Sequence, residues 1–278
     1  MSIRVLGVYR ETEFSPGKVE ADAAILDRVL DHLRARDVEV VTIQPDRFVE
    51  AAPDDFDLVL AMCQGERTLS KLAAVEKAGI LVINSPRAIR ACYRDQLGPA
   101  LERAGVPTPA GVLVNTSTGI DPQSISRLDL AAGVFIKRGD LHALIADDVV
   151  RIDGSDRIAS ALAGFAARGI KSAYLQQAVE GIVVKFYGVS GGGYFATLSD
   201  GAPLRASLQR ALAEAANAAA AALGLEVWGG DAIVNGDAFM MVDLNDWPSF
   251  SRVRAAAARA IAERCCQLLD GAGAARKV

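Results

Sequence analysis

The stretch Trp228-Gly-Gly-Asp231-Ala-Ile-Val-Asn235-Gly-Asp-Ala-Phe239-Met-Met-Val-Asp243-Leu-Asn245-Asp-Trp-Pro-Ser-Phe250 decides how the chain is read. The apolar runs on either side of Asn235-Gly236-Asp237 predict strands over 226–235 and 239–244 joined by a tight turn, because Asn-Gly tolerates the positive φ angles that a two-residue hairpin needs. Side chains alternate faces along a strand, so Asp243 and Asn245 share one face, and Asp231 on the paired strand reaches it too. Three oxygen-bearing side chains then converge. Such a set suits Mg²⁺, a hard cation that takes carboxylate and amide oxygens. The same residues also read as an ordinary strand end before Pro248, and spacing alone leaves both readings open.

Upstream, Lys137 stands in the apolar run Gly133-Val-Phe-Ile-Lys137-Arg138, and Lys185 in Ile182-Val-Val-Lys185-Phe-Tyr-Gly-Val. A lysine inside an apolar strand calls for an anion, and beside a Mg²⁺ site that anion is a nucleotide phosphate. The bland alternative is a lysine that snorkels from a sheet edge. Gly191-Gly192-Gly193 reads as a hairpin turn and not as a phosphate loop, because no helix follows it.

Toward the N-terminus, strands at 3–9, 38–43, 58–62 and 80–83 alternate with helices at 21–36 and 69–78, the pattern of an open parallel sheet. Ligands of such sheets gather beyond the carboxyl ends of the strands, here the loops 10–18 and 63–67. A second α/β unit is predicted from a helix at 94–104, strands at 111–114, 134–138, 149–152 and 173–179, and a helix at 155–167. A third follows: a hairpin over 182–198, a helix at 206–223 closed by Gly224, the 226–244 hairpin and a helix at 251–269, with 271–278 as a frayed tail. The expected class is α/β, divided at 1–88, 89–179 and 180–278.

Composition removes several functions. Among 278 residues, 30 Lys and Arg against 34 Asp and Glu give a net charge of −4, so no basic surface exists for nucleic acid. No apolar run approaches the ~18 residues that span a bilayer, and the N-terminus lacks a secretory pattern; no membrane partner and a cytoplasmic location are expected. Four cysteines without C-x-x-C spacing and two histidines exclude a thiolate- or imidazole-rich zinc site, and Cys265-Cys266 reads as a pair of ordinary thiols.

The order of motifs resembles the ATP-grasp superfamily over nearly the whole chain. The pieces are Val82-Ile-Asn-Ser-Pro-Arg-Ala-Ile-Arg90, Gly105-Val-Pro-Thr-Pro109, Phe135-Ile-Lys-Arg138, Leu175-Gln-Gln-Ala-Val-Glu-Gly181, Val184-Lys-Phe-Tyr-Gly-Val189, Gly229-Gly-Asp231 and Val242-Asp-Leu-Asn245. The resemblance implies an ATP-grasp fold, with an N-terminal substrate domain and two α/β units sandwiching ATP. It implies Lys137 and Lys185 on the phosphates, Gln176, Gln177, Ala178 and Val179 along the adenine edge, Glu180 near the ribose, and Asp231, Asp243 and Asn245 on Mg²⁺, with Mn²⁺ as a substitute. Arg138 and His142 join Lys137 in the implied catalytic set, and Arg10 and Lys18 are substrate clamps.

Most such proteins, the RimK-like, glutathione synthetase-like and D-alanine:D-alanine ligases among them, couple a carboxylate to an amine or thiol through an acylphosphate. A small-molecule carboxylate or amino-acid-like substrate is therefore expected, and assembly as a homodimer is left open. Three departures stand out: Gln96 where a phosphate-binding lysine is usual, a single glycine in the loop after Lys137, and Asp243 where ligases carry glutamate. The last is similar to the inositol trisphosphate 5/6-kinase branch, which makes a kinase of a phosphorylated polyol the alternative, with His142 as a substrate contact. The other departures keep a nucleotide-binding protein without turnover as a third reading. As site residues outside the core, Lys137 and Asp243 are expected to tolerate alanine within about 1 to 2 kcal/mol of stability.

Overall fold

The computed structural model describes residues 2–275 except 119 and 122. Strands β1 (Arg4–Val8), β2 (Glu39–Ile43), β3 (Leu58–Ala61) and β4 (Leu81–Ile83) form a parallel sheet in the order β2-β1-β3-β4. Parallel neighbours need crossover connections. Helices α1 (Val19–Arg34), α2 (Pro45–Glu50) and α3 (Glu66–Lys77) lie in those connections. In α1, Ile25, Leu26, Val29, Leu30 and Leu33 are buried at helical spacing. A Cβ at Gly7 would stand 2.6 Å from Leu30 Cδ1, so glycine there lets the helix close on β1. The short α2 was not expected from the pattern, and α3 starts three residues earlier than the apolar spacing suggests.

Helices α4 (Pro86–Ala91) and α5 (Arg94–Arg103) lead into a second sheet of β5 (Gly111–Asn115), β6 (Val134–Arg138), β7 (Val149–Ile152) and β8 (Ser172–Gln177), with α6 (Ile158–Ala167) before β8. Its order is β5-β8-β6-β7 and every pairing is antiparallel. The third sheet holds β9 (Ile182–Val189), β10 (Tyr194–Ser199), β11 (Val227–Asn235) and β12 (Ala238–Asp246) in the antiparallel order β10-β9-β11-β12, with α7 (Ala206–Leu223) between its hairpins. Gly224 ends α7 at φ 75°, the left-handed cap that glycine adopts without a Cβ clash. Strand β12 runs two residues past the expected end at Leu244, which places Asn245 and Asp246 in the sheet.

Packing crosses the order of the chain. Leu97 and Leu101 of α5 share a core with Leu212, Ala216 and Leu223 of α7 and with Phe186, Trp228 and Met241 of the third sheet. The last helix, α8 (Arg254–Ala275), shares a core with α1 and the first sheet: Ala257, Ala258, Ile261 and Cys265 pack with Ile25, Leu26, Val29 and Leu30. Residues 271–275, read from sequence as a frayed tail, continue this helix, and 276–278 lie outside the described residues. Among the described residues no helix is long and apolar enough to cross a membrane.

One side chain ties the first sheet to the third. Asn84, fully buried after β4, donates from Nδ2 to the Val227 carbonyl at 2.7 Å, and its Oδ1 accepts from the N–H groups of Glu226 at 2.8 Å and Val227 at 3.0 Å. Trp247 adds a second tie by donating its indole N–H to the Ile83 carbonyl at 3.2 Å. Asn84→Ala strips three buried backbone groups of their partner and is expected to cost about 3 kcal/mol. A urea midpoint equal to that of the wild type would disprove this role for Asn84.

Candidate active site

A cavity of about 490 Å³ opens between the loops of the first sheet and the face of the third, with the loop after β6 closing one side. The loop after β1 contributes Arg10, Ser15 and Lys18, and the turn after β3 contributes Gln64, as expected for the carboxyl ends of parallel strands. From the third sheet come Lys185 of β9, Asp231 of β11, and Asp243, Asn245 and Asp246 of β12. Register explains the grouping: Asp231 stands opposite both Lys185 and Asp243, with a bulge between Asp231 and Ala232. A Cβ at Gly230 would lie 2.2 Å from the Asp243 carbonyl oxygen and 2.5 Å from the Phe186 ring, so only glycine permits this approach of the strands. On the same face of the sheet, farther along, Val183, Ile233 and Met240 stand in register and form an apolar strip; Val183 is 53% and Met240 41% exposed.

The cavity's charges are mostly matched in pairs. Lys185 reaches Asp231 Oδ1 at 2.9 Å, Arg94 reaches Asp243 Oδ2 at 2.8 Å, and Arg10 reaches Asp22 Oδ2 at 3.2 Å. Burial works against the Asp243 carboxylate, but Arg94 and Lys137 outweigh it and hold the carboxyl below the usual range. Burial likewise opposes the Lys185 charge, and its contact with Asp231 turns the shift upward. Arg94 Nε and Asp243 Oδ1 are buried and, among the described residues, have no hydrogen-bond partner.

Lys137 is buried apart from the main cavity. Its ammonium donates to Gln176 Oε1 at 2.7 Å and to the Val242 carbonyl at 3.2 Å, and with Arg94 it lines a closed space of about 10 Å³. Burial pushes it down to about 8, with Asp243 opposing that shift and Arg94 adding to it. Its direct partners within the chain are neutral oxygens, with Gln176 beside it on the neighbouring strand.

Arg138 is drawn out of the group: it pairs with Asp140 at 2.9 Å and with buried Asp148 at 3.4 Å, and Asp148 also binds Arg168 at 2.7 Å. Gln177 is turned toward the loop before β6, where its Nε2 donates to the Gly133 carbonyl at 2.9 Å and its Oε1 accepts from the Asp129 N–H at 2.7 Å. The N–H groups of Gln177 and Ala178 are taken by the Ala110 and Gly133 carbonyls, Val179 is half-buried, and Glu180 is exposed. Lys18 is exposed at the cavity rim, and Gln96 is exposed on α5.

His142 lies in the wall, its Nε2 3.4 Å from Asp246 Oδ1 and its ring edge-on to Tyr93. Arg94, Asp246 and Gln64 escaped the sequence reading as site residues. Arg94 carried one signal, an unmatched cation opening a helix whose positive end disfavours it. Asp246 carried none, because the strand was expected to end before it.

Two carboxylates and an amide, Asp231, Asp243 and Asn245, turn oxygens into the cavity, and the orphaned Asp243 Oδ1 has acceptor capacity that a hard cation would fit. Among the described residues no three His, Cys, Asp or Glu side chains form a metal group by themselves.

No family model matches the chain, and no curated protein matches it. Solved structures do. The D-alanine–D-alanine ligase of Bacillus anthracis, complexed with ATP, is 13% identical with a TM-score of 0.74 over 97% of this chain and 99% of that one. The D-alanine–D-alanine ligase of Coxiella burnetii is 12% identical with a TM-score of 0.75 over 99% and 98%, and the VanG D-Ala:D-Ser ligase of Enterococcus faecalis is 12% identical with a TM-score of 0.73 over 97% and 100%. The chain thus shares the fold of these ligases over nearly its entire length.

The buried pair Arg94–Asp243 carries a stability prediction that revises the tolerance expected from sequence. Removing one partner leaves an uncompensated interior charge, so Arg94→Met is expected to lower stability by about 3–5 kcal/mol, and adding Asp243→Asn should recover about half of that. Because the folded pKa of Asp243 is depressed, its contribution is complete above the ordinary carboxyl range and is lost as pH falls through the folded value. Arg94→Met should therefore also flatten the acid limb of a stability-versus-pH curve; an unchanged limb would count against the pair.

Proposed function

We propose that this protein is an ATP- and Mg²⁺-dependent ligase that joins a carboxylate to an amine or thiol through an acylphosphate, on a small molecule or peptide. The observation that carries this reading is the cavity-facing side of β9, β11 and β12. It presents an exposed apolar strip at Val183 and Met240 and, one row along, the cation Lys185 level with the oxygens of Asp231 and Asp243, with Asn245 beyond them. A flat base needs such a strip, and a phosphate chain with its metal ion needs a cation and oxygens beside it. The Bacillus anthracis structure of the same fold is a ligase complexed with ATP, which supports the reading.

In this reading Lys137 and Lys185 bind phosphates, Gln176 to Val179 border the base, and Glu180 lies near the ribose. Asp231, Asp243 and Asn245 hold the metal, which when bound neutralises charge on the transferred phosphoryl group. Arg94 shares Asp243 with the metal and supplies positive charge on the helix where Gln96 cannot. Arg10 is pinned by Asp22, the Met62 carbonyl and the Trp247 carbonyl, which gives a rigid cation toward the acceptor side. Lys18 adds a mobile one at the rim. Residues 1–88 would serve the acceptor, and 89–179 and 180–278 the nucleotide; the cytoplasm is the compartment that supplies ATP.

A ligase is favoured over a polyphosphate kinase by the placement of the arginines. Arg138 is held by Asp140 and Asp148, Arg205 pairs with Asp237 away from the cavity, and of the cations that line the wall Arg10, Arg94, Lys185 and Arg252 are each matched by a carboxylate of the chain, which leaves little free positive charge for a phosphorylated polyol.

ADP release that requires both a carboxylate and a nucleophile, with hydroxylamine trapping the acyl group as a hydroxamate, tests the reading. ADP release with a polyol alone would overturn it. Asp243→Ala and Lys137→Ala should abolish Mg²⁺-dependent binding of a non-hydrolysable ATP analogue in calorimetry.

The buried lysine adds a pH signature. Lys137 must be charged to hold phosphate, so wild-type affinity should fall as pH rises above about 8, with proton uptake on binding. Its own effect on folding has the opposite sense: between about 8 and 10.5 the folded chain binds fewer protons than the unfolded one, so stability rises with pH there. Lys137→Met should remove the stability trend.

A further inference from the structure

Among the described residues three carboxylates of the main cavity are paired with an arginine or lysine that also lines it, and the three pairs are built differently. Arg10 is tied to Asp22 and to the carbonyls of Met62 and Trp247, and Asp22 accepts from the Ser15 hydroxyl as well, so that pair is anchored on both sides. Lys185 is anchored by Asp231 alone. Its ammonium donates to Asp231 Oδ1 at 2.9 Å, and its side chain is 55% exposed. Arg94 is more deeply placed but loosely engaged: one nitrogen reaches Asp243 Oδ2 at 2.8 Å, another makes a long bond to the Leu141 carbonyl at 3.4 Å, and Nε has no partner among the described residues. Both weakly anchored cations therefore sit on carboxylates of the oxygen set.

That placement sets a charge problem for any single ligand. With Lys185 and Arg94 in place, Asp231 and Asp243 offer a divalent cation their oxygens together with two repelling charges at contact distance. With both cations held by carboxylates, a phosphate chain meets negative charge first. Exchange of partners removes both conflicts. The carboxylates pass to the metal, the cations pass to phosphate oxygens, and no charge in the low-dielectric wall is left unmatched. Lys185, Asp231 and Asp243 stand in one row of the sheet, so Lys185 makes this move by turning its flexible four-carbon stem while the strands stay paired.

We propose that Lys185 and Arg94 are exchangeable cations: each neutralises a carboxylate of the oxygen set until a divalent cation takes it, and then passes to a nucleotide phosphate, so that metal and nucleotide bind with positive coupling. This rests on the nucleotide and metal reading above and adds to it the residues that set the coupling. Arg10, pinned by four partners' worth of contacts between itself and Asp22, takes no part in the exchange.

Lys185→Met is the decisive variant, because it removes an exposed cation and should affect the two ligands in opposite directions. Mn²⁺ alone, followed by the loss of the free-ion signal in electron paramagnetic resonance, is expected to bind Lys185→Met about tenfold or more tightly than the wild type. A non-hydrolysable ATP analogue in excess Mg²⁺ is expected to bind the same variant about tenfold or more weakly in calorimetry. Lys185→Arg keeps the pair and should hold Mn²⁺ as weakly as the wild type, and adding Asp231→Asn to Lys185→Met should abolish the gain, which assigns the ion to that carboxylate. Unchanged or weaker Mn²⁺ binding by Lys185→Met, or unchanged analogue binding, overturns the exchange; a residue needed only for structure would raise neither affinity. Hydroxylamine trapping scores the ligase reading separately. A chain that traps hydroxamate but shows no Mn²⁺ gain refutes the exchange and not the ligase, and a gain without hydroxamate does the reverse.

Discussion

A guanidinium that opens α5 and a carboxylate in the middle of β12 lie 2.8 Å apart inside the protein, and neither charge is tolerable there alone. That requirement orients much around it. It draws the start of α5 against the third sheet, where Leu97 and Leu101 meet the Phe186 and Trp228 layer. It also places Arg94 between the small space around Lys137 and the open cavity beside Lys185, so Arg94, Lys137 and Asp243 share one low-dielectric region while Lys185 and Asp231 sit at its solvent-open edge. The depressed Lys137 and the depressed Asp243 are two consequences of that crowding: burial disfavours both charges, and the neighbours decide which one keeps its own.

The wall depends equally on what is missing from two residues. Gly229 and Gly230 let β11 run where a side chain would strike Pro248, the Phe186 ring or the Asp243 carbonyl. The bulge after Asp231 then re-aims the strand, as bulges near sites do. The chain after β12 is turned sharply: Trp247 adopts φ 34° although it is large and fully buried, a conformation held by its indole bond to the Ile83 carbonyl and by Arg10 on its own carbonyl. Those contacts, with the Asn84 amide, fasten the first sheet's side of the cavity to the third sheet's side.

Much of this architecture was legible along the chain. Alternating strands and helices announced the parallel sheet, Asn235-Gly236 announced the hairpin, and Gly224 announced the end of α7, because each is written in local propensity and period. The grouping of Asp231, Asp243 and Asn245 was legible for the same reason: strand alternation and a two-residue turn fix which side chains share a face.

Partners across the chain were not. Arg138 and Lys137 are neighbours in one strand and their side chains point to opposite faces, one to Asp148 and the other to Gln176, and nothing local says which partner waits on either side. Arg94 and Asp243 are 149 residues apart, and Asn84 and Val227 are 143 apart. The sequence by itself determined the elements, their approximate bounds and the oxygen set on one strand face, since these depend on spacing over a few residues. Only the tertiary structure decided which charges are matched and which lysine is buried, because burial and pairing are set by segments that meet only after the chain has folded.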